Sequence, residues 1–239
     1  MTPIPPLAQD IRPLPGSHTD EVIEIVVTQL AAGTDAVRSS EAVLSDAERQ
    51  RASRFAYDRH RRRFVLARAG LRQLLGSRLG ERPEAVDLVY GPHGKPGLAP
   101  RFADSDLRFN LSHSDDLAVY AFSTGREIGV DVEAIRVIRD ADHIAARFFS
   151  RGEYAAYRAL DARDRPQAFF NCWTRKEAFI KALGDGVYHR LDSFDVSLAP
   201  GEPPRILRVE NTPGEECGWR LESFSPAAGF VAAVVTEQR

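Results

Sequence analysis

The sequence predicts an α+β fold built from two halves of similar plan, each with a small antiparallel sheet packed on helices. Two observations support this fold class. Strand-like segments are followed by helical segments and then by further strands, and the second half of the chain repeats that order. Turn-like dipeptides join neighbouring strands, which favours antiparallel pairing. Because the sequence shows no strong internal repeat, a pseudo-twofold relation between the halves rests on element order alone.

The domain boundaries follow from composition and element order. Five prolines and little periodicity make residues 1–20 a flexible lead-in, which we exclude from the fold. Residues 21–125 then form an N-terminal α+β half and residues 126–239 a C-terminal α+β half. Because one chain carries both halves, we expect a monomer.

Composition excludes several classes of protein. The 239 residues are 43% hydrophobic and 28% charged, which is enough to bury a substantial core. A net charge of -2 gives no field that would attract nucleic acid or an anionic membrane, and no apolar run reaches the roughly 20 residues of a membrane-spanning helix. Cys172 and Cys217 are too few for a disulfide framework and lack metal-ligand spacing. We therefore expect a cytoplasmic protein with free thiols.

The N-terminal half begins with a β-branched, strand-like segment at residues 22–28. Ser45 is predicted to cap a helix, with Glu48 at the capping-box position. A helical hairpin follows and ends near Gly80, and apolar residues recur at helical spacing over 64–79. The arginines expected to lie away from this buried face are Arg68, Arg72 and Arg78.

Short strands are predicted next at residues 108–111, 118–123 and 127–133, joined as a meander by turns at 115–116 and 124–125. The later predicted elements are helices at 141–160 and 165–183, the second being the longest, and strands at 194–198, 206–209, 219–224 and 230–235. The chain therefore ends in strands, as the first half does.

The third strand of this meander carries two acids that suggest a metal site. Asp131 and Glu133 stand two residues apart and alternate with apolar residues, so both carboxylates lie on one face of the strand. Two such oxygen donors make half of a magnesium site, which water and substrate phosphate usually complete. Taken alone, a solvated sheet face is the more common meaning of such a pair.

The predicted helix at 165–183 carries a third acid. Trp173, Glu177 and Lys181 are spaced i, i+4, i+8 and share one stripe of the helix, with apolar residues around them. Taken alone, Glu177 and Lys181 would be an ordinary surface pair on a helix.

Several segments offer groups that contact phosphate. Ser112 and His113 close a strand, and Lys95 lies between a glycine and a proline. The run 59–63 contains four arginines, with Arg51 one or two turns earlier. This run suits a solvated helix face, a clamp on an anionic group, or a nucleic-acid patch, although no aromatic stacking platform or broad basic surface accompanies it.

Taken in order, these segments resemble the motifs of the Sfp-type 4'-phosphopantetheinyl transferases. Each motif is weak alone, and six in the same order are specific; together they cover roughly residues 44–198. The motifs are Gly94-Lys95-Pro96, Phe109 to Ser114, Gly129 to Glu133, Phe148-Phe149 with Glu153, Trp173 to Lys181, and Gly184-Asp185-Gly186.

The resemblance implies an activity and a site. It implies the 4'-phosphopantetheinyl transferase fold, with coenzyme A in the cleft between two pseudo-twofold-related halves, an acyl or peptidyl carrier protein as partner, and release of 3',5'-ADP. Mg2+ would be held by Asp131, Glu133 and Glu177. Glu177 would also serve as general base and Lys181 would stabilise the leaving phosphate. The positions matching contacts to coenzyme A are Arg51, Arg63, Lys95, Ser112, His113 and Lys181.

The match to the family has departures, and other functions stay open. Glu153 matches a further acid near the metal in some relatives, although a role at a helix start fits equally well. Glu48 stands where some relatives carry a lysine for the nucleotide phosphate, so that contact is expected to shift to the 51–63 region. Val187 replaces a common leucine, with no expected effect. The rival functions are another magnesium-dependent phosphoryl-transfer or hydrolytic enzyme, and a nucleic-acid-binding module built on the basic run.

Overall fold

A computed structural model describes residues 10–13, 23–92, 94–184, 190–210 and 214–238. The predictions for Gly186 and Val187 lie outside these residues. No helix in the described ranges is long and apolar enough to cross a membrane. Within the same ranges, Cys172 is buried, Cys217 is exposed, and both are free thiols, as predicted.

The predicted helices and strands are present in the predicted order, although residues 141–160 form two helices, and one helix and three short strands were not predicted. The helices are α1 (Thr34–Glu41), α2 (Asp46–Ser53), α3 (Asp58–Leu79), α4 (Ala141–Phe148), α5 (Arg151–Ala159) and α6 (Arg165–Leu183). The strands are β1 (Asp10–Pro13), β2 (Glu24–Gln29), β3 (Leu88–Tyr90), β4 (Pro96–Leu98), β5 (Leu107–Ser114), β6 (Leu117–Thr124), β7 (Ile128–Ala134), β8 (Phe194–Val196), β9 (Ile206–Val209), β10 (Trp219–Phe224) and β11 (Phe230–Glu237). This mixture of helices and small antiparallel sheets confirms the α+β class.

The first sheet has the strand order β1-β2-β6-β5 and is antiparallel throughout. Its edge strand β1 comes from the segment expected to be a flexible lead-in, and Asp10 is paired with Val27. Excluding all of residues 1–20 from the fold was therefore wrong. Proline density hid this strand, because Pro13 is tolerated at the end of an edge strand.

The second sheet has the strand order β10-β11-β7. The predicted meander of three strands was wrong, because β7 pairs with β11 instead of β6 and so belongs to the other sheet. Its apolar side chains meet those of the first sheet in a shared buried cluster. Members of this cluster include Ile25, Val119, Val130, Val132 and Val234. Pairing between strands that are far apart in sequence, such as β7 and β11, cannot be predicted from the spacing of the strands. The shared cluster joins the two sheets at β7.

Helix α3 is buried on more than one face. Arg68 and Arg72 are only 6% and 2% exposed, so the expectation that they lie away from the core was wrong. Arg72 donates to Glu48 at 2.6 Å and also to the carbonyls of Pro83 and Val86. Glu48 forms the predicted capping box with Ser45. At 22 residues α3, not α6, is the longest helix.

Helix α6 lies directly on β7 at Gly129. A Cβ atom at this position would lie 2.1 Å from the carbonyl oxygen of Ala178 and 2.3 Å from the nitrogen of Ala182. Both atoms belong to the helix backbone, which cannot move aside as a flexible side chain can. Glycine is therefore required for this close approach. The contact brings the C-terminal half of α6 next to the acids of β7.

A buried ion pair ties α6 to α5. Lys176 is 1% exposed, and its ammonium lies 2.8 Å from the carboxylate of Glu153 and donates to the carbonyls of Leu191 and Phe194. Glu153 also completes a capping box with Ser150 at the start of α5. Of the two roles considered for Glu153, the structure therefore supports the one at the helix start. Burial raises the pKa of Glu153, although Lys176 acts in the opposite direction.

We predict that Lys176→Met lowers the free energy of unfolding by about 3–5 kcal/mol, because it leaves the Glu153 carboxylate buried without its counter-charge. Denaturant unfolding followed by circular dichroism measures this change. The double variant Lys176→Met with Glu153→Gln should recover much of the loss, since it removes both charges.

The pair of Arg208, whose side chain is exposed, and Asp195, which is half-buried, provides the control. Arg208→Ala should cost about 0–1 kcal/mol, as the loss of a solvated ion pair at the surface does. A loss in Lys176→Met no larger than in Arg208→Ala would contradict a stabilising role for the buried pair.

Candidate active site

A cavity of about 620 Å³ opens between the helices and strands of the two sequence halves. Helices α2 and α3, the loop before β4 and strand β5 form one side, and α4, α6 and the turn at residues 190–192 form the other. Most of the groups predicted to contact coenzyme A line it, and the aromatic ring of Phe148 adds an apolar wall. The predicted site residues among the lining are Arg51, Lys95, His113, Glu177 and Lys181.

Lys181 connects α6 to the acid pair of β7. Its ammonium lies 2.7 Å from Asp131 Oδ1 and also donates to the Ser112 hydroxyl and the Val130 carbonyl. Ser112 in turn donates to Asp131 at 2.8 Å. The lysine therefore bonds to the strand acid rather than to Glu177 as an ordinary pair on one helix would. The structure brings Ser112, Asp131 and Lys181 together.

Glu177 lies on the cavity wall, within electrostatic range of the acids of β7. Burial raises the pKa of Glu177, the carboxylates of Asp131 and Glu133 raise it further, and Lys181 lowers it. Burial is also the main cause that raises the pKa of Glu133, and Asp131 adds to it. Three carboxylates thus share the ammonium of Lys181, with Arg136 acting on Glu133 as well, and an excess of negative charge remains in this partly desolvated cluster.

This excess charge bears on the predicted magnesium site. Asp131 is 5% exposed, and its Oδ2 atom is buried without a hydrogen-bond partner. A buried carboxylate oxygen with no donor is unfavourable unless a cation contacts it. The donor set is also the one that Mg2+ prefers. In the described residues, however, no three His, Cys, Asp or Glu side chains are arranged as a finished metal site. The carboxylates of Asp131, Glu133 and Glu177 suit a divalent cation by their chemistry and charge. In this structure the ammonium of Lys181 contacts Asp131.

Lys95 and His113 approach the cavity from the N-terminal half. The Lys95 ammonium lies 3.1 Å from Glu127 and donates to the carbonyl of Ala182 near the end of α6. Although the His113 ring keeps exposed surface, the surrounding protein desolvates it and this lowers its pKa, as do the nearby charges of Lys181 and Arg63. We therefore expect His113 to be neutral near pH 7 and able to donate a hydrogen bond to an anion.

Arg68 is a cavity residue that the sequence interpretation missed. Its guanidinium packs against the rings of Phe64 and Tyr90, and the guanidinium of Arg51 also lies over Phe64, 5.3 Å from the ring centre. The Nη1 atom of Arg68 is buried with no hydrogen-bond partner, and burial lowers the pKa of Arg68. A buried guanidinium with an open donor favours an anionic ligand. Helical spacing hid this residue, since it predicted an outward-facing arginine.

The basic run at 59–63 is mostly neutralised by neighbouring acids. Arg61 pairs with Glu41 and Asp58, and Arg63 pairs with Asp115 and Asp116 at the turn after β5. Arg63 is absent from the cavity lining, whereas Arg51 is part of it. These pairings weaken the case for a nucleic-acid patch, because the arginines already have partners.

Comparisons with known proteins show the family of this chain. The family model for the 4'-phosphopantetheinyl transferase superfamily matches residues 127–235, and the model for the N-terminal part of 4'-phosphopantetheinyl transferases matches residues 34–125. The chain is 42% identical over 193 residues to the 4'-phosphopantetheinyl transferase HetI of Nostoc sp. (strain PCC 7120 / SAG 25.82 / UTEX 2576), a match that covers 81% of this chain and 78% of HetI. It is 32% identical over 193 residues to the 4'-phosphopantetheinyl transferase psf-1 of Bacillus pumilus, covering 80% and 78% of the two chains. The chain belongs to the 4'-phosphopantetheinyl transferase superfamily.

Membership of this superfamily confirms the predicted enzyme class. The chain is a 4'-phosphopantetheinyl transferase, an enzyme that transfers phosphopantetheine from coenzyme A to a carrier protein. The two rival functions, a different phosphoryl-transfer or hydrolytic enzyme and a nucleic-acid-binding module, are not favoured.

We predict that Glu177→Gln stabilises the metal-free transferase at pH 7. The raised pKa of Glu177 means that the folded state disfavours the ionised carboxylate. The contribution of Glu177 to stability is greatest below the pKa that this glutamate has in the unfolded chain. It falls as the pH rises through the higher pKa of Glu177 in the folded protein. The gain from Glu177→Gln should therefore be present at pH 7 and shrink toward pH 4, in denaturant unfolding with EDTA.

The exposed acid Asp161 supplies the control, since it does not line the cavity and Asp161→Asn changes charge by the same amount. A Glu177→Gln variant less stable than wild type at pH 7 would show that Glu177 is well compensated in the metal-free fold.

Proposed function

We propose that the cavity binds coenzyme A and that Glu177 and Lys181, with Mg2+ bound, transfer the phosphopantetheine arm of coenzyme A to a serine of an apo acyl or peptidyl carrier protein. The reaction would release 3',5'-ADP. The observation that supports this proposal most directly is that Glu177 and Lys181 of α6 line one cavity and that Lys181 also contacts Asp131 of β7, which lies behind the cavity wall. Residues on both sides of the proposed boundary between 125 and 126 line this cavity, which supports the proposal of two halves with a site between them.

Cationic and polar groups around the cavity would bind the phosphates of coenzyme A. Lys95 and His113 approach from one side, and Arg51 and Arg68 lie together around Phe64. Guanidinium groups suit phosphate because their donors match its oxygens. Glu48 is occupied with Arg72, so it leaves the phosphate contacts to its neighbours. We propose that Arg68 contributes the contact that a lysine at the position of Glu48 makes in some relatives.

Asp131, Glu133 and Glu177 would hold Mg2+ against the diphosphate. The unpartnered Oδ2 atom of Asp131 and the shared excess of negative charge support this assignment. When bound, the ion would neutralise charge on the diphosphate and make the β-phosphorus easier to attack.

Glu177 would accept the proton of the carrier serine as its oxygen attacks the β-phosphorus. The bond from this phosphorus to the bridging oxygen of 3',5'-ADP breaks, and the phosphopantetheine stays on the serine. A raised pKa makes Glu177 a stronger base than an ordinary glutamate. Lys181 would donate to the leaving phosphate, since its ammonium already lies beside the acid cluster and is partly exposed to the cavity.

The test is incubation of the protein with coenzyme A, Mg2+ and an apo carrier protein, with intact-mass spectrometry of the carrier. We expect a mass gain of one phosphopantetheine in the wild type and a loss of about 10²- to 10⁴-fold in kcat for Glu177→Gln. Lys181→Ala should lower kcat more than it lowers the affinity for coenzyme A. Undiminished turnover in Glu177→Gln would refute the assigned base.

We predict that Arg68→Gln weakens binding of coenzyme A by about 10- to 100-fold, because a charge-assisted hydrogen bond to phosphate is lost. Isothermal titration calorimetry on the folded variant measures the dissociation constant. Arg38→Gln, which changes an exposed arginine on α1, should leave it unchanged.

Arg63→Gln separates the two candidate phosphate contacts. If Arg63→Gln weakens binding of coenzyme A and Arg68→Gln leaves it unchanged, the contact belongs to Arg63, as the sequence predicted. Loss in Arg68→Gln alone would assign it to the buried arginine on α3.

A further inference from the structure

Three polar side chains of β5 contact β7 across the gap between the two sheets. Asn110, Ser112 and Ser114 alternate along β5, so they share one face of the strand. Strand β5 is the edge of the first sheet and β7 is the edge of the second, and these side chains supply hydrogen bonds between them. The two edge strands are therefore joined by a ladder of side-chain hydrogen bonds. Neighbouring strands of one continuous sheet would be joined by backbone hydrogen bonds instead.

Each member of this ladder bonds to a different part of β7. The Asn110 side chain accepts from the Val130 amide at 3.0 Å, and Ser112 donates to Asp131. Ser114 donates to Glu133 Oε2 at 2.7 Å and accepts from the Ala134 amide at 3.2 Å. The two serines thus contact the two strand acids, one serine to each acid.

We propose that Ser114 is a positioning residue that fixes the carboxylate of Glu133 for a divalent cation. This inference rests on the proposed function of the acid cluster. Ser114 is 8% exposed and does not line the cavity, so it acts through Glu133 and does not touch the substrate. The sequence motif that contains Ser114 had been assigned to phosphate contact, and this assignment extended only to its neighbours Ser112 and His113.

The two hydrogen bonds of Ser114 explain why it can set a direction. The amide of Ala134 occupies a lone pair of the hydroxyl oxygen, which fixes that oxygen on the backbone of β7. The hydroxyl hydrogen is then directed to Glu133, one residue earlier on the same strand. Glu133 is only partly buried and has a long, flexible side chain, so without Ser114 its carboxylate would take several orientations.

Ser112 differs from Ser114 in its surroundings. Its hydroxyl also accepts a hydrogen bond from the ammonium of Lys181, so a change at Ser112 would disturb both Lys181 and Asp131. Among the described residues, the Ser114 hydroxyl forms hydrogen bonds only with the Glu133 carboxylate and the backbone of β7. It is therefore the position at which the orientation of one metal ligand can be changed by itself.

The experiment measures binding of Mn2+, used as a probe for the divalent site, to the full-length protein by electron paramagnetic resonance. We expect Ser114→Ala to weaken Mn2+ binding by about 10- to 100-fold, the range found for partners of metal ligands. The Mg2+ concentration that gives half-maximal transfer should rise in parallel, with kcat at saturating Mg2+ little changed. Ser114→Thr keeps the hydroxyl and should restore binding.

Ser123→Ala is the matched control. Ser123 is a buried serine on β6 that donates to the carbonyl of Arg126 at 2.7 Å, and in the described part of the chain it has no hydrogen bond to an acid. Its loss should lower stability without changing Mn2+ affinity. If Ser114→Ala does not fold, Ser114→Cys fills the same space with a weak donor, and it too should bind Mn2+ more weakly than wild type.

Two results separate the possible failures. Wild-type protein that transfers phosphopantetheine and binds Mn2+, with a Ser114→Ala variant within twofold of its affinity, would overturn the role of Ser114 alone. Wild-type protein that neither binds Mn2+ nor transfers phosphopantetheine would overturn the proposed function and the role of Ser114 with it.

Discussion

The close contact of helix α6 with strand β7 at Gly129 is the constraint on which the site depends. With the helix backbone too near for any side chain at residue 129, the last turns of α6 lie beside the acids of β7. Lys181 can then reach Asp131, and Glu177 faces the same cavity. A wider spacing between helix and strand would separate these groups, since none of their side chains could span an added layer of packing.

Charge around this contact is arranged in two different ways. Lys176 and Glu153 form a closed pair whose donors and acceptors are satisfied inside the protein, so their role is to join α5, α6 and the segment after residue 190. One residue further along α6, Glu177 has no such closed pair among the described residues, and the charges near it are the carboxylates of Asp131 and Glu133 and the ammonium of Lys181. Neighbouring positions on one helix thus serve the fold and the chemistry, and Glu177 is the one at the cavity.

Sequence reasoning predicted local features well and non-local ones poorly. The capping box of Ser45 and Glu48 depends on four consecutive residues and was confirmed. The burial of Arg72 depends on Glu48, 24 residues away, and a helical pattern cannot reveal it. The place of β7 in the second sheet depends on β11 near the end of the chain. Local family motifs pointed to Glu177 and Lys181, which line the cavity, whereas Arg68 was missed because its surroundings come from three separate elements.

A crystal structure of the complex with coenzyme A and Mg2+ tests the central claim most directly. We predict one Mg2+ ion at about 2.0–2.1 Å from oxygens of Asp131, Glu133, Glu177 and the diphosphate. A diphosphate bound in the cavity with Glu177 turned away from the ion, or with the ion held by other residues, would contradict it.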